Sequence, residues 1–114
     1  LKVIVSQGNG EEYIVVFMTA PGEDEAASIG RSLVEEELVA CCNIVPNLRS
    51  IYRWKGKIFD EQEVLCIMKT KRALFSKLSK RVKELHSYDV PELISLAIDE
   101  GSEDYLKWIK EVTS

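Results

Sequence analysis

Histidine is nearly absent from this chain: His86 is the only one, so no site built on two or more histidines from a single copy is available. Cysteine is sparse and odd in number, with Cys41, Cys42 and Cys66 and no Cys-x-x-Cys pair. That count excludes a self-contained disulfide framework and points to a reducing compartment, the cytoplasm. No apolar run approaches the roughly 18 residues that a membrane-spanning helix requires. There is no excess of basic charge. The net charge of -4 excludes the general basic face that a nucleic-acid or anionic-membrane binder uses. No phosphate loop, dinucleotide fingerprint, zinc knuckle or nucleophile elbow occurs, and Gly8-Asn9-Gly10 is too short a glycine pattern to cradle a phosphate. With no nucleophile paired to His86 in sequence, the chain reads as a binding protein, not an enzyme.

What is present is an ordinary globular composition, 46% hydrophobic and 30% charged over 114 residues, enough for one core. Residues 1–10 are polar around Ser6 to Gly10 and lack the length and shape of a signal peptide, so they read as a tail or linker. Lys2 to Val5 could add a short strand. Residues 11–114 then form one domain. Tyr13 to Thr19 is a β-branched apolar run suited to a central strand, ended by Pro21-Gly22. Ala26, Ile29, Gly30, Leu33, Val34 and Leu38 recur at helical spacing, and Glu23, Asp24 and Glu25 fall in the first turn, where the helix dipole favours them.

Val39 to Arg53 predicts a long strand, kinked where Pro46 cannot donate to a ladder. Lys55-Gly56 predicts a tight turn, and Lys57 to Thr70 the returning strand, with an acidic outer half at Asp60 to Glu63 projecting beyond the core. Thr70 is placed to cap a second helix with Leu74, Phe75, Leu78, Val82 and Leu85 as its apolar stripe. Its basic residues, with Lys69 and Lys71, read as a solvated face. Pro91 opens a strand at Leu93 to Ile98, and Gly101-Ser102 caps a last helix that turns Tyr105, Leu106, Ile109 and Val112 inward. The order β-α-β-β-α-β plus a terminal helix predicts an α+β, ferredoxin-like split β-α-β sandwich with a long central hairpin. Helices cover one sheet face. The other is too apolar to stay wet, which predicts an oligomer.

The candidates for chemistry are few. Cys41 and Cys42 are adjacent on a strand and so face opposite ways, and only one of them can line a given site. Cys66 lies among Leu65, Ile67 and Met68 and reads as core. His86 ends the second helix and is either a metal ligand or a side chain bonded to a carbonyl. One thiol and one imidazole do not fill a tetrahedral site, but a subunit boundary can recruit ligands from several chains, with Glu63, Asp89 and Glu92 as oxygen donors. Lys69 stands where a strand leads into a helix and could bind an anion. Tyr52, Trp54, Tyr88 and Trp108 are the marked aromatics, read first as interface anchors.

Several of these motifs occur together. Ala40-Cys41-Cys42-Asn43-Ile44-x-Pro46, Ser50-Ile51-Tyr52-x-Trp54-x-Gly56, Glu63-Val64 with Lys69-Thr70, His86-x-Tyr88-x-x-Pro91-Glu92 and Gly101-x-x-x-Tyr105-x-x-Trp108 resemble the CutA family over about residues 12–113. That resemblance implies a homotrimer with packed sheets and interlocked hairpins, a role in divalent-ion tolerance, and exchangeable binding of copper or another divalent cation. It implies an inter-subunit cleft lined by Cys41, Lys69, His86, Tyr88 and Glu92, with Cys41 and His86 as metal ligands and with Lys69, Tyr88 and Glu92 placed to take a small ligand or a protein partner. A sensor or adaptor of PII-like design is the alternative. The chain departs from the family pattern at Ser87, where proline is frequent, at Asp89, where glutamate is frequent, and at Cys42, where valine is common.

Overall fold

The computed structural model describes residues 2–5 and 13–114. A four-stranded antiparallel sheet has the order β3-β4-β2-β5. Its strands are β2 (Tyr13–Ala20), β3 (Cys41–Trp54), β4 (Lys57–Lys71) and β5 (Leu93–Ala97). Helix α1 (Glu23–Glu35) links β2 to β3, and α2 (Phe75–Leu85) links β4 to β5. A short ladder joins β1 (Val3–Val5) to β6 (Glu100–Ser102), just before helix α3 (Glu103–Val112). This is the expected ferredoxin-like order, and the short N-terminal strand is formed. The rest of the expected tail, residue 1 and residues 6–10, lies outside the described residues.

Strand alternation decides which side chains meet the helices. Ile14, Val16, Met18 and Ala20 on β2, with Val64, Cys66 and Met68 on β4, are buried against Ala26, Ile29 and Leu33 of α1 and Leu78 and Val82 of α2. The opposite face carries Val15 and Phe17, Leu65 and Ile67, and Ile94 and Leu96. Among the described residues only α3 reaches this face, at its Tyr13 and Cys41 end, and Ile94 and Leu96 are more than half exposed.

The β3–β4 hairpin is long, and both of its irregular points were expected. At Pro46 the register slips between Val45 and Leu48, with Asn47 at φ 63°. At the tip Lys55 and Gly56 both take positive φ, 49° and 77°, as a tight two-residue turn needs.

Three expectations are corrected. Thr70 does not cap α2, because it lies inside β4 on the buried face, where its hydroxyl donates to the Leu38 carbonyl at 2.7 Å. A 3-10 turn, Arg72–Leu74, precedes α2 instead. Val34 is exposed, because α1 ends at Glu35 and Leu38 packs from beyond the helix. Tyr105 also faces outward, leaving Leu106 and Ile109 to bury α3 against Tyr13 and Ala40.

Candidate functional site

The hairpin and the segment after α2 enclose a groove of about 800 Å³. Beyond the Pro46 bulge, alternation keeps Tyr52, Phe59, Glu61 and Glu63 on the uncovered side of the sheet, where they line the groove. Tyr88, Asp89, Val90, Pro91 and Glu92 form the opposing wall. Tyr88 donates its phenolic hydrogen to Glu63 at 2.9 Å, and Tyr52 donates to Glu61 at 3.1 Å. Tyr52 stacks on Phe59 with ring centroids 5.3 Å apart. Burial and then the Glu63 hydrogen bond push the Tyr88 hydroxyl well above the usual tyrosine range. Tyr52 is raised in the same sense, by burial first and then by Glu61.

Glu63 was expected to project outward with its acidic neighbours. It is instead 5% exposed, since its place in the alternation turns it toward Tyr88. Asp60 is on the other side of the strand and receives a two-point bond from Arg49 at 2.8 and 2.6 Å.

His86 supports this wall from behind. Its Nδ1 accepts from the Tyr88 amide at 3.0 Å, and its Nε2 faces the Thr19 carbonyl at 2.8 Å, the tautomer with the proton on Nε2. Both ring nitrogens are therefore engaged within the chain. Glu25 accepts from the Ser87 amide at 2.9 Å and fixes the same turn to α1. Ser87, the departure from proline, thus supplies an N–H that proline could not.

Cys41 lies elsewhere on that side of the sheet, at the end that α3 reaches. It stands opposite Lys69, and its thiol is 4.0 Å from both Asn43 Oδ1 and the Tyr105 hydroxyl. Lys69 donates to Asn43. Burial raises the Tyr105 hydroxyl, helped by the Cys41 thiol. Lys69 and Glu63 are six residues apart on β4, about 20 Å along an extended strand. Within one chain the predicted residues therefore form two groups. Cys41 and Lys69 stand at one end; His86, Tyr88 and Glu92 stand at the other. Among the described residues no three or more of His, Cys, Asp and Glu converge as a metal site.

Asn43 and Tyr105 were not expected at Cys41. Asn43 was legible in principle, being two residues along the same strand and so on the same face. Tyr105 reaches Cys41 from α3, and no local sequence signal carries that contact.

Comparison with known proteins agrees over nearly the whole chain. Residues 14–112 match the family model described as CutA1 divalent ion tolerance protein. The divalent-cation tolerance protein CutA of Thermus thermophilus is 52% identical over 99 residues, covering 87% of this chain and 96% of that protein. Human protein CutA is 43% identical over 97 residues, covering 85% of this chain but 54% of the human protein, so the chain spans about half of that relative's length. Among solved structures, the Thermus thermophilus protein superposes with a TM-score of 0.87 at 50% identity, covering 90% of this chain and 99% of its own. CutA1 from Oryza sativa gives 0.89 at 41% identity, covering 92% and 96%.

Proposed function

Because the chain belongs to the CutA1 divalent ion tolerance family, we propose that it is a homotrimeric cation-binding protein supporting tolerance to divalent ions, copper foremost, by binding and not by turnover. One observation carries this reading: the apolar sheet face that the described residues leave largely exposed is the face that presents Cys41, at the end where α3 brings Tyr105. Burying that face between copies is favourable at about 25 cal/mol per Å² of apolar surface. The same contact gathers one Cys41 from each copy. A lone thiol cannot fill a coordination sphere, and neighbouring copies supply the remaining donors in this proposal. Cys41 is the soft ligand. His86 acts as the brace of Tyr88, since both its nitrogens are already bonded. The three thiols suit a reducing setting such as the cytoplasm.

The test is a copper and zinc titration of the assembled, reduced protein with a competing chelator and a mass measurement. Cys41→Ala is expected to lose saturable binding without losing assembly. His86→Ala is expected to keep the binding while melting at a lower temperature. Equal binding by wild type and Cys41→Ala would remove Cys41 from the site.

The groove favours a second reading, the small-ligand sensor. Glu61, Glu63, Asp89 and Glu92 outnumber Arg49 and Lys55 there, and Tyr52, Trp54 and Tyr88 add aromatic faces. That chemistry suits an amino-bearing ligand more than an anion. A set of amines and polyamines that raised no melting temperature would dismiss it.

A further inference from the structure

Histidine is the side chain whose charge ordinarily changes between about pH 5 and 8. This chain has one, His86, and its ring is wholly buried behind the groove. The ring braces the wall through both nitrogens. Nε2 donates to the Thr19 carbonyl at 2.8 Å, and Nδ1 accepts from the Tyr88 amide at 3.0 Å. The second bond exists only while Nδ1 carries no proton. Once Nδ1 is protonated, two N–H groups face each other across 3.0 Å, and the Tyr88 amide has lost its acceptor.

An acceptor for the new proton is already in place. Oε2 of Glu25, on α1, lies 3.6 Å from Nδ1, and the same oxygen takes the Ser87 amide at 2.9 Å. At 3.6 Å it is beyond hydrogen-bond reach of the ring. It is near enough for its charge to favour an imidazolium. Ser87 matters to this arrangement, because its N–H fixes the carboxylate beside the ring, and a proline there would have no N–H to do so. The other groups facing the ring come from β2, the turn and β4. β2 gives the uncharged Thr19 carbonyl. The turn gives the Tyr88 phenol, its ring centroid 4.9 Å away. β4 gives Glu63, reached through the Tyr88 hydroxyl.

We propose that His86 and Glu25 form a proton-operated latch on the groove wall. In the neutral state His86 holds the Tyr88 amide, and Tyr88 holds Glu63. In acid, Nδ1 takes a proton from solvent, the imidazolium closes onto Glu25 Oε2, and the Tyr88 amide is released to water. Oε2 is then shared between the imidazolium and the Ser87 amide. The turn that aims Tyr88 has lost one backbone bond and weakened another, so the wall loosens and the groove opens. The latch is a property of the wall itself. It goes beyond the amine reading of the groove and stands whether or not a ligand binds there.

The experiment is NMR of the isotope-labelled full chain, without ligand, between about pH 8 and 5. One histidine gives one set of imidazole nitrogen signals. At the alkaline end Nε2 is expected to carry the proton and Nδ1 to be bare. As pH falls, Nδ1 should gain its proton and the Tyr88 amide proton should move upfield. The cross-peak between the His86 and Tyr88 rings should weaken with the same midpoint. Glu25→Gln should move that midpoint to lower pH, because the charged ring loses its anion. His86→Gln should leave the Tyr88 amide unresponsive over the range. A ring that stays neutral to the acid end would overturn the latch. So would a Tyr88 amide that does not follow the ring, or a Glu25→Gln midpoint equal to that of wild type. A Tyr88 amide that still moves in His86→Gln would assign the response to a carboxylate such as Glu63, and would overturn it as well. A failed amine screen touches none of these outcomes.

Discussion

Tyr88 and Glu63 show how a single hydrogen bond sets a local chemistry. The carboxylate is nearly buried and takes its hydrogen bond from the phenol. Tyr88→Phe removes that donor while keeping the ring against His86. The expected cost at neutral pH is about 1.5–3 kcal/mol, the range for a hydrogen bond to a charged group. The pH dependence has a definite sign. A tyrosine whose folded pKa is raised contributes stability below its unfolded pKa, near 10, and that contribution is lost as pH rises from there through the folded value. Wild type should therefore lose melting temperature above about pH 10 more steeply than Tyr88→Phe. Tyr52 and Tyr105, raised in the same direction, leave a residual slope in both proteins. Parallel alkaline melting curves would show that Tyr88 does not titrate against folding. Thr70 gives a second residue-scale case. Thr70→Val keeps the shape but strips the Leu38 carbonyl of its buried donor, and a loss of about 1–3 kcal/mol in urea unfolding is expected.

At the scale of elements, α1 and β3 approach closely at Gly30. Gly30→Ala would gain about 1 kcal/mol of helix propensity in isolation. Here its new methyl would meet the Cys42 sulfur at 3.0 Å and its Cβ at 3.1 Å. Overpacking of this kind costs about 1–3 kcal/mol, so the sign reverses and the variant should be less stable. Pairing it with Cys42→Ala frees the space, and the double variant should be more stable than the two single effects summed. Additive effects would place the strain elsewhere. Elements were also what the sequence displayed best. The 3.6-residue stripes of α1 and α2, the Lys55-Gly56 turn and the Pro46 kink are all local chemistry, and all appear in the fold. Errors arose where a tertiary partner decided. Thr70 has a capping side chain, but the Leu38 carbonyl claims it. Val34 fits the helical stripe, yet α1 ends one residue later and its flank stays in water. A similar distant partnership ties α1 to α2, where Arg81 bonds Glu36 at 2.8 and 3.0 Å. Its hydrogen bond holds the Glu36 carboxyl below the usual range, so this tie is present above the unfolded carboxylate pKa and is lost as pH falls through the folded one. Any melting difference between wild type and Glu36→Gln should disappear in acid; a difference that persists there would come from something other than the ion pair.

Over the whole molecule, the candidate residues were legible as types but not as neighbours. Cys41, His86 and Tyr88 stand out because sulfur, imidazole and aromatics are scarce in this chain, whereas Glu92 is one of 19 acidic residues and is marked only by its motif. Their separation into two groups follows from the register of β3 against β4, which places Cys41 at Lys69 and leaves Glu63 beyond the bulge for Tyr88. No local pattern encodes that register. The exposed face was legible in the apolar and aromatic hairpin strands, and the structure extends it through Phe17, Ile94 and Leu96, beyond the end that α3 covers. That face also gives the proposed assembly its sharpest test. Leu96 is 57% exposed in the single chain, so Leu96→Glu costs that chain little. In an assembly that buries the face, the same carboxylate would lose its water without gaining a cation, a cost of several kcal/mol per copy. Wild type should run in solution at about three times the 12.9 kDa of one chain, and Leu96→Glu at the mass of one chain with its circular dichroism intact. A variant that keeps the wild-type mass would mean that copies meet through another surface, and Cys41 would no longer be gathered by the contact.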